Sequence, residues 1–215
     1  MRHFLALASL LCVAGVSAAA PLGPTAPKTG FGVHGNFTLG SLPGPAIAGS
    51  ESLKDAYGPG WGGGVHLDLG LTGLSLRLSG DYLKYSLNEG RFRDTYAGVF
   101  GDAVDQISVQ GGELGIRSAS ANAKVAVMPL PVVRPYVTGG VGLAWLSMDE
   151  TRTSIAGQSG RTFPATTQNG KKSFNVGAGV DLEVGIKLFV EARCVWILTE
   201  GERSTYVPVA LGVTF

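Results

Sequence analysis

The chain has 215 residues, 45% of them hydrophobic and only 15% charged, with a formal net charge of +1. A soluble domain carries ~25% charge, and nucleic-acid binding needs a basic surface that a near-neutral chain lacks. Beyond residue 20 no stretch reaches the ~18 unbroken apolar residues of a helical membrane span, so the hydrophobicity must be spread thinly along the chain.

The N-terminus has the layout of an export signal. Arg2 and His3 form a short basic region, residues 4–16 an apolar core, and Ser17, Ala18, Ala19 and Ala20 a small-residue cleavage site before Pro21. Residues 1–20 are therefore expected to be a signal peptide, and the proline-rich residues 21–29 a linker. Residues 30–215 form the domain proper. Loss of Arg2 would leave 16 Lys and Arg against 16 Asp and Glu. Cys12 would leave with the signal, so Cys194 would stand alone, without an internal disulfide or a cysteine metal site.

From Gly30 onward apolar residues recur at every second position, the period of a strand with two unlike faces. Strands are predicted at about 30–40, 60–70, 74–86, 113–128 and 135–147. Three more follow at about 174–184, 187–198 and 205–215. The sixth is the clearest. Phe174, Val176, Ala178, Val180, Leu182 and Val184 share one face; Asn175, Gly177, Gly179, Asp181 and Glu183 share the other. The fourth changes phase: Leu114 and Ile116 lie on one parity, and Ala121, Ala123, Val125 and Val127 on the other. A β-bulge near residues 118–120 is expected to restore the alternation.

Connections alternate in length. Residues 71–73, 128–134 and 185–186 are short, while 41–59, 87–112 and 148–172 are long, with a short one at 199–204. Short turns at one end and long loops at the other describe a transmembrane barrel with both termini at the periplasmic end. Alternation alone does not exclude a soluble, lipocalin-like barrel, since it is symmetric under inversion. Three features favour apolar residues outside. The polar face holds His34, His66, Asp68, Arg77, Asp81, Arg117, Lys124, Asp181, Glu183, Glu191 and Arg193, which can pair inside a narrow lumen. Glycines such as Gly32, Gly64, Gly177 and Gly212 share that face and leave room for long side chains. On the opposite face Trp61, Tyr82, Trp145, Phe174 and Trp196 fall at one height, the long-loop end, as an interfacial aromatic girdle. The fold class read from the sequence is all-β: an eight-stranded antiparallel up-and-down transmembrane β-barrel.

The segments PYVTGGVGL at 135–143, VGAGVD at 176–181 and GVTF at 212–215 carry a resemblance to the small outer-membrane β-barrel proteins, the OmpA-like and OmpX-like barrel domains. The resemblance implies a cell outer membrane location in a Gram-negative envelope. It makes the terminal Phe215 the signal offered to the barrel-assembly machinery. Expected partners are outer-membrane lipid and lipopolysaccharide, with no nucleic acid, and the chain is expected to be a monomer.

The leading functional reading is a structural or surface-interaction barrel with a charged, plugged interior and long extracellular loops. A narrow, OmpW-like pore for small solutes is the alternative, because eight strands leave a lumen that side chains nearly fill. A lipid-modifying enzyme ranks third. His66 with Asp68 could suggest a dyad, but hydrogen bonding within the interior is the plainer account. No G-x-S-x-G nucleophile turn, H-E-x-x-H metal pair or phosphate loop occurs. No catalytic activity, metal or cofactor is therefore expected.

Overall fold

The computed structural model describes residues 29–39, 57–71, 74–91, 107–128, 132–155, 162–199 and 203–215. The signal peptide, nearly all of the linker and much of the long connections lie outside these residues.

In chain order the strands are β1 (Thr29–Leu39), β2 (Trp61–Leu71), β3 (Leu74–Tyr85), β4 (Ile107–Gly111), β5 (Leu114–Ala126) and β6 (Val133–Met148). There follow β7 (Thr151–Ile155), β8 (Thr162–Phe163), β9 (Thr166–Val184), β10 (Ile186–Leu198) and β11 (Arg203–Thr214). Eight of them close a barrel in the order β1-β11-β10-β9-β6-β5-β3-β2, every neighbour antiparallel. The seam is the β1–β11 ladder, where Gly32 faces Thr214 and Leu39 faces Val207. Closure removes every free edge of the wall, as hydrocarbon requires of a spanning sheet.

The barrel is inside-out relative to a soluble core. Trp61, Leu211, Val141 and Phe31 are 64%, 64%, 57% and 53% exposed, whereas Arg77, Lys124 and Glu191 are 3%, 3% and 2% exposed. Along β1 the alternation is unbroken: His34, Asn36 and Thr38 point in, Val33, Phe37 and Leu39 out. Such a surface is stable only against acyl chains.

Two expectations need correction. The fourth barrel strand, β5, carries no bulge: its register with β3 runs without a break from Ser75↔Lys124 to Tyr85↔Leu114. Leu114, Ile116, Ser118, Ser120, Asn122 and Lys124 all take the inward parity, so the apparent phase change reflects a lumen whose chemistry changes with height. The register shift lies instead between β6 and β9, at Ala144/Leu146. The predicted long loops also contain strand. β6 continues to Met148 and β9 begins at Thr166, so β9 has 19 residues where ~9–11 suffice to span.

Beyond the wall, β4, β7 and β8 make a separate three-stranded sheet. It continues the β5–β6 ribbon: Gln110 pairs with Arg152, while Gly112 N–H donates to the Glu150 carbonyl at 3.2 Å and Asp149 N–H to that of Glu113 at 2.9 Å. The bend between the two parts uses Gly111 and Gly112, with φ of +79° and +73°, a region that side chains with a Cβ rarely adopt.

Candidate functional site

The site is the lumen, built in layers from inward positions of the eight strands. Lowest is an ionic layer nearest the periplasmic turns. Arg77 donates from Nε to Asp68 Oδ1 at 2.6 Å and from Nη2 to Oδ2 at 2.8 Å, a two-pronged pair between adjacent strands at directly facing positions. Lys187 reaches Asp181 at 3.0 Å and Asp68 at 3.5 Å; Lys124 reaches Asp181 at 3.3 Å. Arg77 Nη1 lies 3.8 Å from Glu191 Oε2, which also accepts a hydrogen bond from Tyr136 Oη at 2.8 Å. Arg193 stands 3.1 Å from Glu191 and 3.7 Å from Asp81. The cations Arg77, Lys124, Lys187 and Arg193 thus match the carboxylates Asp68, Asp81, Asp181 and Glu191, which offsets the cost of burying them. Two rings fill the gaps: the Arg77 guanidinium sits 4.2 Å from the centre of Phe189, and Lys124 Nζ 3.9 Å from that of Tyr136.

Adjoining it runs a hydrogen-bonded chain across β3, β1, β2 and β11. His34 Nε2 is 2.6 Å from Asp81 Oδ1, His34 Nδ1 is 3.3 Å from His66 Nδ1, and His66 Nε2 is 2.9 Å from Thr214 Oγ1. Asn36 also donates to Asp81, at 2.9 Å. The glycines make space for these rings. A Cβ at Gly64 would stand 2.7 Å from His34 Nε2, and one at Gly32 would collide with the His66 ring.

At the long-loop end the lumen turns apolar. Leu83 and Tyr85 from β3, Leu114 and Ile116 from β5, and Ala144, Leu146 and Met148 from β6 form one buried cluster with Val195 and Ile197 from β10 and Tyr206 from β11. In the closed order β10 and β11 lie opposite β3 and β5, so the cluster crosses the lumen from wall to wall. Tyr57, from the segment before β2, caps it and donates to the Gly112 carbonyl at 2.7 Å. Burial pushes the Tyr57 phenol up to about 12. Between the polar and apolar layers a cavity of about 20 Å³ is lined by Asn36, Asp81, Ser120, Asn175, Arg193 and Tyr206. That is room for about one water, far below a solute passage.

The structure brings together His34, His66, Asp68, Arg77, Asp81, Lys124, Asp181, Glu191 and Arg193. Two candidates from the sequence are not in this group. Arg117 is a correction: it points outward from β5, because its parity is that of Ala119 and Ala121. Glu183 sits at the lower rim, half-buried, paired with Arg134 at 2.8 Å. The suspected His66–Asp68 dyad is not formed: Asp68 turns to Arg77, and His66 to His34 and Thr214. Sequence reasoning missed Asn36, Tyr136, Lys187, Phe189 and Thr214. Lys187 and Phe189 share the parity of Glu191 and Arg193, and that was the available signal. On the outer wall Trp61, Tyr82 and Phe174 are exposed, and Trp145 and Trp196 half-buried, all on the outward parity.

A closed antiparallel eight-stranded wall with an apolar exterior and an ionic lumen defines a transmembrane outer-membrane barrel. The chain belongs to the outer membrane protein beta-barrel domain family, whose pattern matches residues 5–195, and the protein is located in the outer membrane. Among solved structures it is similar to Neisserial surface protein A (NspA), at 17% identity and a TM-score of 0.48, covering 86% of this chain and 94% of that one. It is also similar to the N-terminal β-barrel domain of Pseudomonas aeruginosa OprF, at 14% identity and a TM-score of 0.48, covering 88% and 100%. A major outer membrane protein from Thermus thermophilus gives 13% identity and a TM-score of 0.49, covering 87% and 99%. No curated protein matches the chain.

Proposed function

We propose that this barrel is a non-conducting, non-catalytic platform that holds a rigid β-ribbon at the cell surface as an interaction element. The observation that carries the reading is the apolar layer from Leu83 to Tyr206 stretching across the lumen above the ionic network. An ion would have to cross both a dry layer and a set of fully matched charges. The extension of β5 and β6 into β4, β7 and β8 supports the surface role, since it carries ordered backbone beyond the length that the bilayer needs. The buried Thr214 hydroxyl on His66 supports a structural rather than catalytic chain, because both His66 ring nitrogens are taken within the lumen, one by Thr214 and one by His34.

Conductance in planar bilayers tests this. The purified barrel is expected to stay silent. Replacing Tyr85 and Leu146 together with Ala, which empties the centre of the apolar layer, is expected to produce openings. Steady openings of the unaltered protein would favour the narrow pore and remove the closed-lumen reading.

A further inference from the structure

The outer wall holds a feature that a uniform lipid-facing surface does not need. Across β2, β3, β5, β6 and β9 one outward rung reads Val65–Gly80–Ala119–Leu143–Lys172. Gly80 and Ala119 are too small to fill it, and with Ala121 one step lower they floor a shallow, open trough between Val65 and Leu143. A Cβ at Gly80 would meet nothing within 4 Å. On the rung above, toward the long loops, Arg117 stands between Tyr82 and Trp145. Arg117 and Lys172 are both exposed on this face, and among the described residues neither has an ion-pair partner. Lys84, one rung higher, is by contrast taken by Glu113 at 2.6 Å.

A guanidinium facing hydrocarbon is costly, and the cost falls steeply toward the interface. An anion at headgroup depth would remove it. Arginine's planar fork matches phosphate oxygens two at a time. Tyr82 and Trp145 are amphipathic rings suited to the same depth. The long-loop end faces the outer leaflet. The geometry points to a specific site for one phosphorylated glycolipid of that leaflet, its phosphate groups held by Arg117 between Tyr82 and Trp145 and by Lys172 on the far side of Leu143, and one acyl chain lying in the Gly80–Ala119–Ala121 trough. Strands on the rung scale are ~4.8 Å apart and residues ~3.4 Å along the strand. Arg117 and Lys172, two strands and one rung apart, are therefore about 12 Å apart at Cα, a separation that the two phosphates of one diphosphorylated headgroup can bridge with these long side chains.

The whole folded protein in mild detergent is titrated with diphosphoryl lipid A, and the single-lipid adduct is followed by native mass spectrometry. Arg117→Gln is expected to weaken the adduct about tenfold, the loss of a charged two-pronged contact, and Lys172→Gln to weaken it less. Gly80→Leu fills the trough and is expected to weaken it as much as Arg117→Gln while leaving the barrel folded, checked by heat-modifiable migration. Ala192→Leu, outward on β10 at the far wall, is expected to leave binding unchanged. The proposal is overturned if Arg117→Gln and Gly80→Leu both bind like the unaltered protein. It is equally overturned if dephosphorylated lipid A or phosphatidylglycerol binds as tightly, or if the adduct proves to be a second copy of the chain.

Discussion

Asp68 faces three cations at once, so its removal strands more than one charge. Arg77 would lose both prongs of its pair, and Lys187 its contact at 3.5 Å. Breaking a buried pair from one side costs about 3–5 kcal/mol. Asp68→Asn is therefore expected to destabilise the folded barrel by that amount, measured as a lowered denaturant midpoint by band-shift in detergent. Replacing both partners, as Asp68→Leu with Arg77→Met, is expected to cost far less, because one charge of each sign is removed and Lys124 and Lys187 keep Asp181. Tyr57 gives a pH dependence outside the membrane. Its phenol is raised from an ordinary 10 to about 12, so above pH 10 the unfolded chain has lost a proton that the folded one keeps. The stability it contributes is complete below pH 10 and is lost as pH rises from 10 to 12. Tyr57→Phe is expected to flatten that alkaline fall in an unfolding titration. None of these partners was legible in the sequence beyond a shared face. Asp68 has His66 two positions away, and Arg77 nine, and nothing along the chain decides between them.

Among the elements, β5 shows how a correct period can still mislead. Its alternation is perfect, yet the apolar set changes sides, because Leu114 and Ile116 belong to the dry layer of the lumen while Ala121, Ala123 and Val125 belong to the lipid face. The same inversion hides the outward position of Arg117, whose charge by itself suggests the lumen. The β5–β6 ribbon likewise reads as loop beyond the girdle, since β4 alternates over only five residues, β7 is polar up to Ile155 and β8 has two residues. Its bend depends on Gly112, where a Cβ would also stand 2.7 Å from Thr151 Oγ1. Gly112→Ala forces a left-handed residue at a cost of about 1–2 kcal/mol. Amide hydrogen exchange in β4 and β7 is expected to speed up while β1 and β11 keep their protection.

For the whole molecule, everything depends on the β1–β11 seam. Phe215 N–H donates to the Phe31 carbonyl at 2.8 Å, the last rung of that ladder, with the Phe215 side chain 71% exposed on the outside. If that side chain also serves as the assembly signal, deleting Phe215 has two separable effects. The purified chain is expected to refold in detergent with little loss, because one terminal rung is missing. In cells the amount of heat-modifiable, folded protein in the outer membrane is expected to fall several-fold, read as two bands against one on SDS gels.

The sequence by itself determined the strand period, the parity of the strands other than β5, the alternation of short and long connections and hence an up-and-down barrel. These are local properties, set by the two-residue repeat of an extended chain and by where turn residues interrupt it. The direction of the apolar face was also legible, because charges and glycines share a parity that only a narrow lumen can use. Only the tertiary structure decided which lumen charge meets which, as closure brings His66 to Thr214 across 148 residues and Lys124 to Asp181 across 57. It also decided that the lumen ends in a dry layer, and that Arg117 faces lipid. Parity names two sides of a strand; the height at which the surroundings change from ionic to apolar is a property of the closed barrel alone.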